Sequence, residues 1–358
     1  MKFRDDINKV MDSVDIQVDQ EMKNKILNQT TRQRERRQIL WGVRKKSVAV
    51  AMAAILCIGT VAVGASELPK LWNVTVAKMF NADEKEQEKL VEKGYADIKE
   101  TKENSADILT AAHNGITVSV KQTLSDKYGL HIYLDVKSTN GLKLTGNRLF
   151  DENDVLVNGK DVYSNQGGGF VEEQYKISDY EHVYELYGAN DTATDIAGKE
   201  VSVHLENLIG GENKLDDDVL VKGSWDLRWT VKSNSATKTI KLNNTYRGSG
   251  KVKGKTVYAD YELKSLEISP LSFCLTYSCE DWNKVSAEGD RKPVPLKIVM
   301  KNGEIYARNT EDKVDDNHIL SGAGCWDDKH EVAIFDDFTI DVDNIDYVEA
   351  GGVRYDVK

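Results

Sequence analysis

Two short stretches carry the residue types from which a metal or acid–base site could be built. His131, Tyr133 and Asp135 share one face of an extended segment, and His204 and Glu206 share a face of another. Imidazole and carboxylate both ligate metals and carry protons. These five residues would make a site only if their strands were neighbours. Taken separately, they read as the solvated face of an antiparallel sheet. Two acidic runs invite a calcium reading: Asp216-Asp217-Asp218, and the segment holding Asp341, Asp343 and Asp346. Both lack the glycine and the terminal glutamate of a calcium loop. The second falls where a strand should end, and there Asp and Asn are ordinary turn residues. The runs Gln166-Gly167-Gly168-Gly169 and Gly248-Ser249-Gly250 lack the strand-to-helix setting of a phosphate cradle and read as flexible turns. Trp225 and Trp229 read as core. No HExxH, GxSxG or Ser/Cys-His-Asp grouping is evident. The residues therefore point to no enzyme, no cofactor and no metal centre.

The four cysteines do not form a disulfide framework. Cys57 lies in an apolar run. Cys274 and Cys279 are five apart, so on an unbroken strand they face opposite ways. The spacing permits one bridge from Cys325, to Cys279 or to Cys274. Zinc is a weak reading, because no CxxC pair exists.

The elements that must position these residues divide at one segment. Residues 47–66 (SVAVAMAAILCIGTVAVGAS) form the one long uncharged apolar stretch. Twenty helical residues span roughly 30 Å, the thickness of a bilayer core. Residues 1–47 hold twelve Lys/Arg against seven Asp/Glu, so the net charge of −11 splits into +5 before the stretch and −16 after it. Seven of the cations crowd into residues 32–46. Basic flanks stay cytoplasmic, so the expected topology is a single-pass cell-membrane protein with its N-terminus in the cytoplasm and its acidic C-terminal region extracellular. A cleaved signal peptide is the rival, because Val63-Gly64-Ala65 resembles a cleavage site. The forty-six preceding residues are far more than a signal's basic leader. The acidity of the outer part argues against nucleic acid, which needs a basic footprint. Ala49, Ala53 and Cys57 form a small-residue stripe that hints at a homodimer through the span.

Before the span, Ile7, Val10, Met11 and Val14 recur at helical spacing, and Val18, Met22, Ile26 and Leu27 repeat it after a break. Fewer than fifty residues with so few apolar groups bury no proper core. The stripe needs a partner protein, a membrane face or a second copy of the chain. After the span, residues 67–104 read as a helical juxtamembrane linker. Within it, residues 83–100 form a charged helix with a thin apolar side at Leu90, Val91 and Ile98. Beyond residue 105 the period changes to two. Strands are expected at 116–120, 130–137, 201–206 and 225–231, then at 257–263, 271–277, 296–300, 331–335 and 338–342. The end alternates on both sides of Gly351-Gly352, a hairpin signal. The expected fold is mainly β: short cytosolic helices in 1–46, one transmembrane helix, and two immunoglobulin-like β-sandwich domains at 105–234 and 235–358.

This order of parts resembles a family of single-pass membrane proteins of Gram-positive bacteria, described as anti-sigma-factor-like, whose outer region is a domain of unknown function. The resemblance rests on Val18-Asp19-Gln20-Glu21-Met22-Lys23-Asn24-Lys25-Ile26-Leu27 ahead of the basic block, on His113-Asn114-Gly115-Ile116-Thr117-Val118-Ser119-Val120, on Gly223-Ser224-Trp225-Asp226-Leu227, and on Leu266-Glu267-Ile268-Ser269-Pro270-Leu271-Ser272. It implies that the tail binds an extracytoplasmic-function sigma factor and that the outer domains sense the envelope. The inner part carries neither Cys nor His, so no zinc is implied there and the short helices would hold the sigma factor by themselves. Ile7, Val10, Met11, Val14, Val18, Met22, Ile26 and Leu27 would be the contact stripe, helix in groove. The alternative from a different class is a structural or adhesive envelope protein with an idle tail.

The topology has a direct test. Thiol labelling of single-cysteine variants from outside intact cells is expected to modify positions in 105–358 and to spare those in 1–40. Labelling of the tail would reverse the orientation, and a soluble mature form starting near Ser66 would establish a signal peptide instead.

Overall fold

The computed structural model describes residues 90–357, apart from Val91, 100–105, Asn147, 163–164, 173–174, 191–195, 211–217, 233–236, 287–291, 311–313, 315–317, 321–323 and 336–337. The expected cytosolic helices and the stretch 47–66 lie outside this set. Among the described residues no helix is long and apolar enough to cross a membrane. The described part is mainly β, and all its strand pairs are antiparallel.

Nine strands form the first half: β1 (Ala96–Ile98), β2 (Thr110–His113), β3 (Ile116–Ser125), β4 (Gly129–Ser138), β5 (Arg148–Val157), β6 (Asn165–Phe170), β7 (Glu181–Ala189), β8 (Glu200–Gly210) and β9 (Val219–Thr230). Ten more form the second: β10 (Lys238–Lys241), β11 (Thr245–Val252), β12 (Lys255–Ser269), β13 (Ser272–Ser278), β14 (Leu296–Met300), β15 (Ile305–Arg308), β16 (Gly324–Trp326), β17 (His330–Ile334), β18 (Ile345–Ala350) and β19 (Val353–Asp356). They assemble into four sheets. The first runs β1-β3-β4-β7-β6, with β2 also on β3. The second is β5-β8-β9. The third runs β10-β12-β13-β17-β16, with β11 also on β12. The fourth is β15-β14-β18-β19.

Alternation explains the cores. The apolar sets of β3, β4, β8 and β9 enter one cluster between the first and second sheets, with Trp225, Trp229, Phe150 and Tyr184 at its centre. Trp225 Nε1 donates to the Ile116 carbonyl at 3.0 Å, which satisfies the indole in a dry setting. A second cluster lies between the third and fourth sheets, around Tyr261, Phe273, Tyr277 and Phe335. The closing hairpin β18–β19 turns on Gly351 (φ 59°) and Gly352 (φ 83°), the left-handed pair that a two-residue turn demands.

Three local expectations are corrected. The helix expected over 83–100 stops at the turn Lys93-Gly94. Gly94 adopts φ 77°, and Tyr95 N donates back to the Leu90 carbonyl at 2.9 Å, a left-handed helix stop. Ile98 is therefore not helical but pairs with Gln122 as the edge strand β1. Residues 338–342 form no strand. Phe338, Ile340 and Val342 are buried in alternation, but among the described residues their one ladder-like bond is Ile340 N to the Pro270 carbonyl. The glycine runs are strands, not flexible turns. In β6 a Cβ on Gly167 would meet the Tyr187 ring, and in β11 one on Gly250 would meet the Val285 carbonyl. Glycine is there for close approach.

The two halves meet at the β3–β4 turn. Asp126 is fully buried. Its Oδ1 accepts from Tyr128 N (3.0 Å), Gly129 N (2.8 Å) and Ser272 Oγ (2.7 Å), and its Oδ2 accepts from Leu271 N (2.8 Å). Burial pushes this carboxyl up, and the Ser272 hydroxyl and three amides pull it back. Gly129 has no room for a Cβ, which would press on Ile334. Tyr128, Ala189, Cys274, Val332 and Ile334 fill the space alongside. At the rim, Glu267 takes the Tyr128 hydroxyl at 2.7 Å and pairs with Lys127.

Removing this carboxylate strands four donors in a dry interface. Asp126→Ala is expected to cost about 3 kcal/mol or more in urea unfolding, and Ser272→Ala about 1 kcal/mol. A loss under about 1 kcal/mol for Asp126→Ala would mean that water reaches the site.

Candidate functional site

The tail positions Ile7, Val10, Met11, Val14, Val18, Met22, Ile26 and Leu27 lie outside the described residues, as do Ala49, Ala53 and Cys57. What the structure places is the outer faces of the two sheets of the first half. His131, Tyr133 and Asp135 stand on β4 in the first sheet, and His204 and Glu206 stand on β8 in the second. The two sets are not brought together.

The β4 set is also not a wet face. His131, Tyr133 and Asp135 are 1%, 0% and 8% exposed. Tyr133 packs with Ala96, Leu124, Val183 and Leu271, so the polar face of the first sheet is roofed by β1 and by the β12–β13 turn. Glu185, from β7, accepts the Tyr133 hydroxyl at 2.9 Å and lies 2.8 Å from His131 Nδ1. Asp135 fares differently. Its Oδ1 has no hydrogen-bond partner, and burial, with Glu181 adding to it, pushes its carboxyl up to about 7 against the opposing pull of Lys121 and Lys137.

The outer face of the second sheet stays open. Register sets Glu152 opposite Glu206, and Asp154 opposite His204. On the other side of β8, Asp226 lies opposite His204 and Ser224 opposite Glu206. Glu152, His204 and Glu206 are half-buried, and one ligand atom from each falls within 4.8 Å of the others. His204 Nδ1 lies 2.7 Å from Asp226 Oδ1. That bond holds the His204 imidazole above its ordinary value and the Asp226 carboxyl below its own. Asn207, at φ 45°, breaks the alternation beside the group, so Glu206 faces out while Leu208 enters the core. Of this set, sequence reasoning names His204 and Glu206 and misses Glu152. The stretch RLFDENDVLV of β5 has no clean alternation to announce a strand.

The other candidates resolve into structure. Asp341 caps the 3-10 turn Val342–Asn344, accepting from Asp343 N at 3.3 Å and from Asn344 Nδ2 at 2.8 Å. Lys93 sits 2.7 Å from Asp343 and 3.7 Å from Asp341. That segment is a turn with its own cation, as turn chemistry predicts. Asp216 and Asp217 lie outside the described residues. Cys274 and Cys325 both pair with Val332, from opposite sides of β17. Two strand spacings separate them by about 10 Å, too far for a bridge. A cavity of about 450 Å³ opens beside Lys93 and Tyr95, with Met300, Tyr306, Ile340 and Asp341 in its wall.

No family model and no curated protein matches the chain. Two solved structures align with it. One, the crystal structure of a conserved domain protein from Bacillus anthracis, is 17% identical over 69% of this chain and 76% of that one, with a TM-score of 0.43. The other, the N-terminal periplasmic domain of ScsB from Proteus mirabilis, is 11% identical over 70% of this chain and 96% of that one, with a TM-score of 0.22.

Asp135 generates a pH prediction. Its folded value of about 7 lies above the ordinary carboxyl value of about 4. Between those values the native state holds a proton that the unfolded chain has lost, so stability falls as pH rises from about 4 to about 7. Asp135→Asn is expected to raise the melting temperature at pH 8 and to leave it nearly unchanged at pH 4. An equal shift at both pH values would show that folding does not raise the Asp135 carboxyl.

Proposed function

We propose that the chain is a single-pass membrane regulator. Its cytosolic tail binds an extracytoplasmic-function sigma factor through Ile7, Val10, Met11, Val14, Val18, Met22, Ile26 and Leu27, residues 47–66 span the membrane, and the outer region senses the envelope. In this reading the first and second sheets, and the third and fourth, make two immunoglobulin-like sandwiches. The anti-sigma-factor-like resemblance and the charge asymmetry about residues 47–66 support it.

One structural observation favours a sensor over an idle anchor. The segment nearest the proposed span is built into both halves of the outer region. β1 pairs with β3 of the first sheet, and Lys93 is tied to Asp343 beside β18. Leu90, Lys93 and Tyr95 also line the cavity. A rearrangement of either half, or a small molecule seated in the cavity, would bear directly on the residues that lead to the membrane.

The tail is the place to test this. Val14→Asp combined with Met22→Asp puts two charges on the apolar stripe. Truncating even one buried anchor of this kind costs roughly 2 kcal/mol. The double variant is expected to release the sigma factor in a pull-down and to raise its target transcription, with membrane insertion unchanged. Deleting residues 1–30 without a transcriptional change would abandon the regulator and favour a structural envelope protein.

A further inference from the structure

We infer that Glu152, His204 and Glu206 bind a divalent transition-metal ion of the zinc type on the outer face of the second sheet, with Asp226 as the group that orients the histidine. The inference is independent of the tail and holds whether or not a sigma factor is bound there.

The arrangement follows from register. Glu152 and Glu206 are direct cross-strand partners on β5 and β8. Two carboxylates so placed would both attract a cation seated between them. His204 stands two residues before Glu206 on the same face, so the three side chains converge from two adjacent strands, and one ligand atom of each lies within 4.8 Å of the others. One nitrogen and two carboxylate oxygens make a mixed set that suits zinc better than calcium, which takes six or more oxygens. Three protein ligands leave a fourth position for water or for a ligand group.

The second observation lies on the third strand. Asp226, on β9, sits opposite His204 with its Oδ1 2.7 Å from Nδ1. A carboxylate has no proton to give, so Nδ1 carries the hydrogen. In the neutral ring Nε2 then presents its lone pair. This is the carboxylate–histidine pairing that fixes the tautomer of metal-bound imidazoles and raises their basicity.

The test is zinc titration of the full chain in detergent by calorimetry, with the melting temperature followed in parallel. Zinc is expected to bind at one to one and to raise the melting temperature. His204→Ala and Glu152→Gln should each lose at least tenfold in affinity. Asp226→Asn, which spares all three ligands, should lose about 10- to 100-fold. These positions lie on an open sheet face, so the variants should fold, and an unchanged far-UV spectrum checks this. Calcium at the same concentration should give no comparable shift. Zinc binding that survives His204→Ala, calcium binding of equal strength, or no zinc binding near neutral pH would each overturn the inference.

Discussion

Asp126 is the constraint on which the outer region depends. A carboxylate this deeply buried is costly unless donors surround it. Here they come from two places far apart in sequence: two amides from its own β3–β4 turn, and an amide and a hydroxyl from the β12–β13 turn. The β3–β4 turn by itself leaves Oδ2 without a donor, and the Leu271 amide supplies it. The bond set therefore forms only when the two halves meet in one register, and a slip by one residue would leave the carboxyl group and its donors unpaired. The missing Cβ at Gly129 lets Ile334 close over the site, and the Lys127–Tyr128–Glu267 contacts shield its rim.

The contrast between the two sheet faces follows from that contact. Docking brings Leu271 down onto the outer face of the first sheet, where it meets Tyr133 and Val183. A polar face of the kind that normally lies in water is then enclosed. The enclosed groups meet different fates. Tyr133 and His131 find Glu185. Asp135 keeps an oxygen without a partner and becomes a carboxyl that holds its proton near neutral pH. No described residue roofs the acids of the second sheet in this way, so Glu152, His204 and Glu206 stay half-buried and Asp226 exposed. Strands with the same alternating pattern thus end as interior and as open surface.

The same docking holds the N-terminal end of the described part in place. A three-residue strand such as β1 would be marginal alone. It is held because Tyr95 and Ala96 are buried and because Lys93 reaches across to Asp343. Position in the chain therefore puts the most strategically placed residues between a proposed span and both cores.

Much of the fold is legible in the sequence. Period-two alternation marks β3, β4, β8, β9 and β14, places Trp225 and Trp229 in the core, and marks the last hairpin through Gly351-Gly352, because face and turn are local properties. What burial means for each face is not local. Alternation in 338–342 predicts which residues go inside, yet these residues belong to none of the ladders among the described residues. Gly167 and Gly168 read as part of a flexible turn until Tyr187 and Leu186 are seen against them. Glu152 lies about fifty residues from His204, and only the β5–β8 register places it opposite Glu206. The sequence alone determines the clearly alternating strands, their inward faces and the charge division about residues 47–66. Tertiary structure decides which outward faces are covered and which acidic side chains converge, because both depend on pairings between segments that no local pattern encodes.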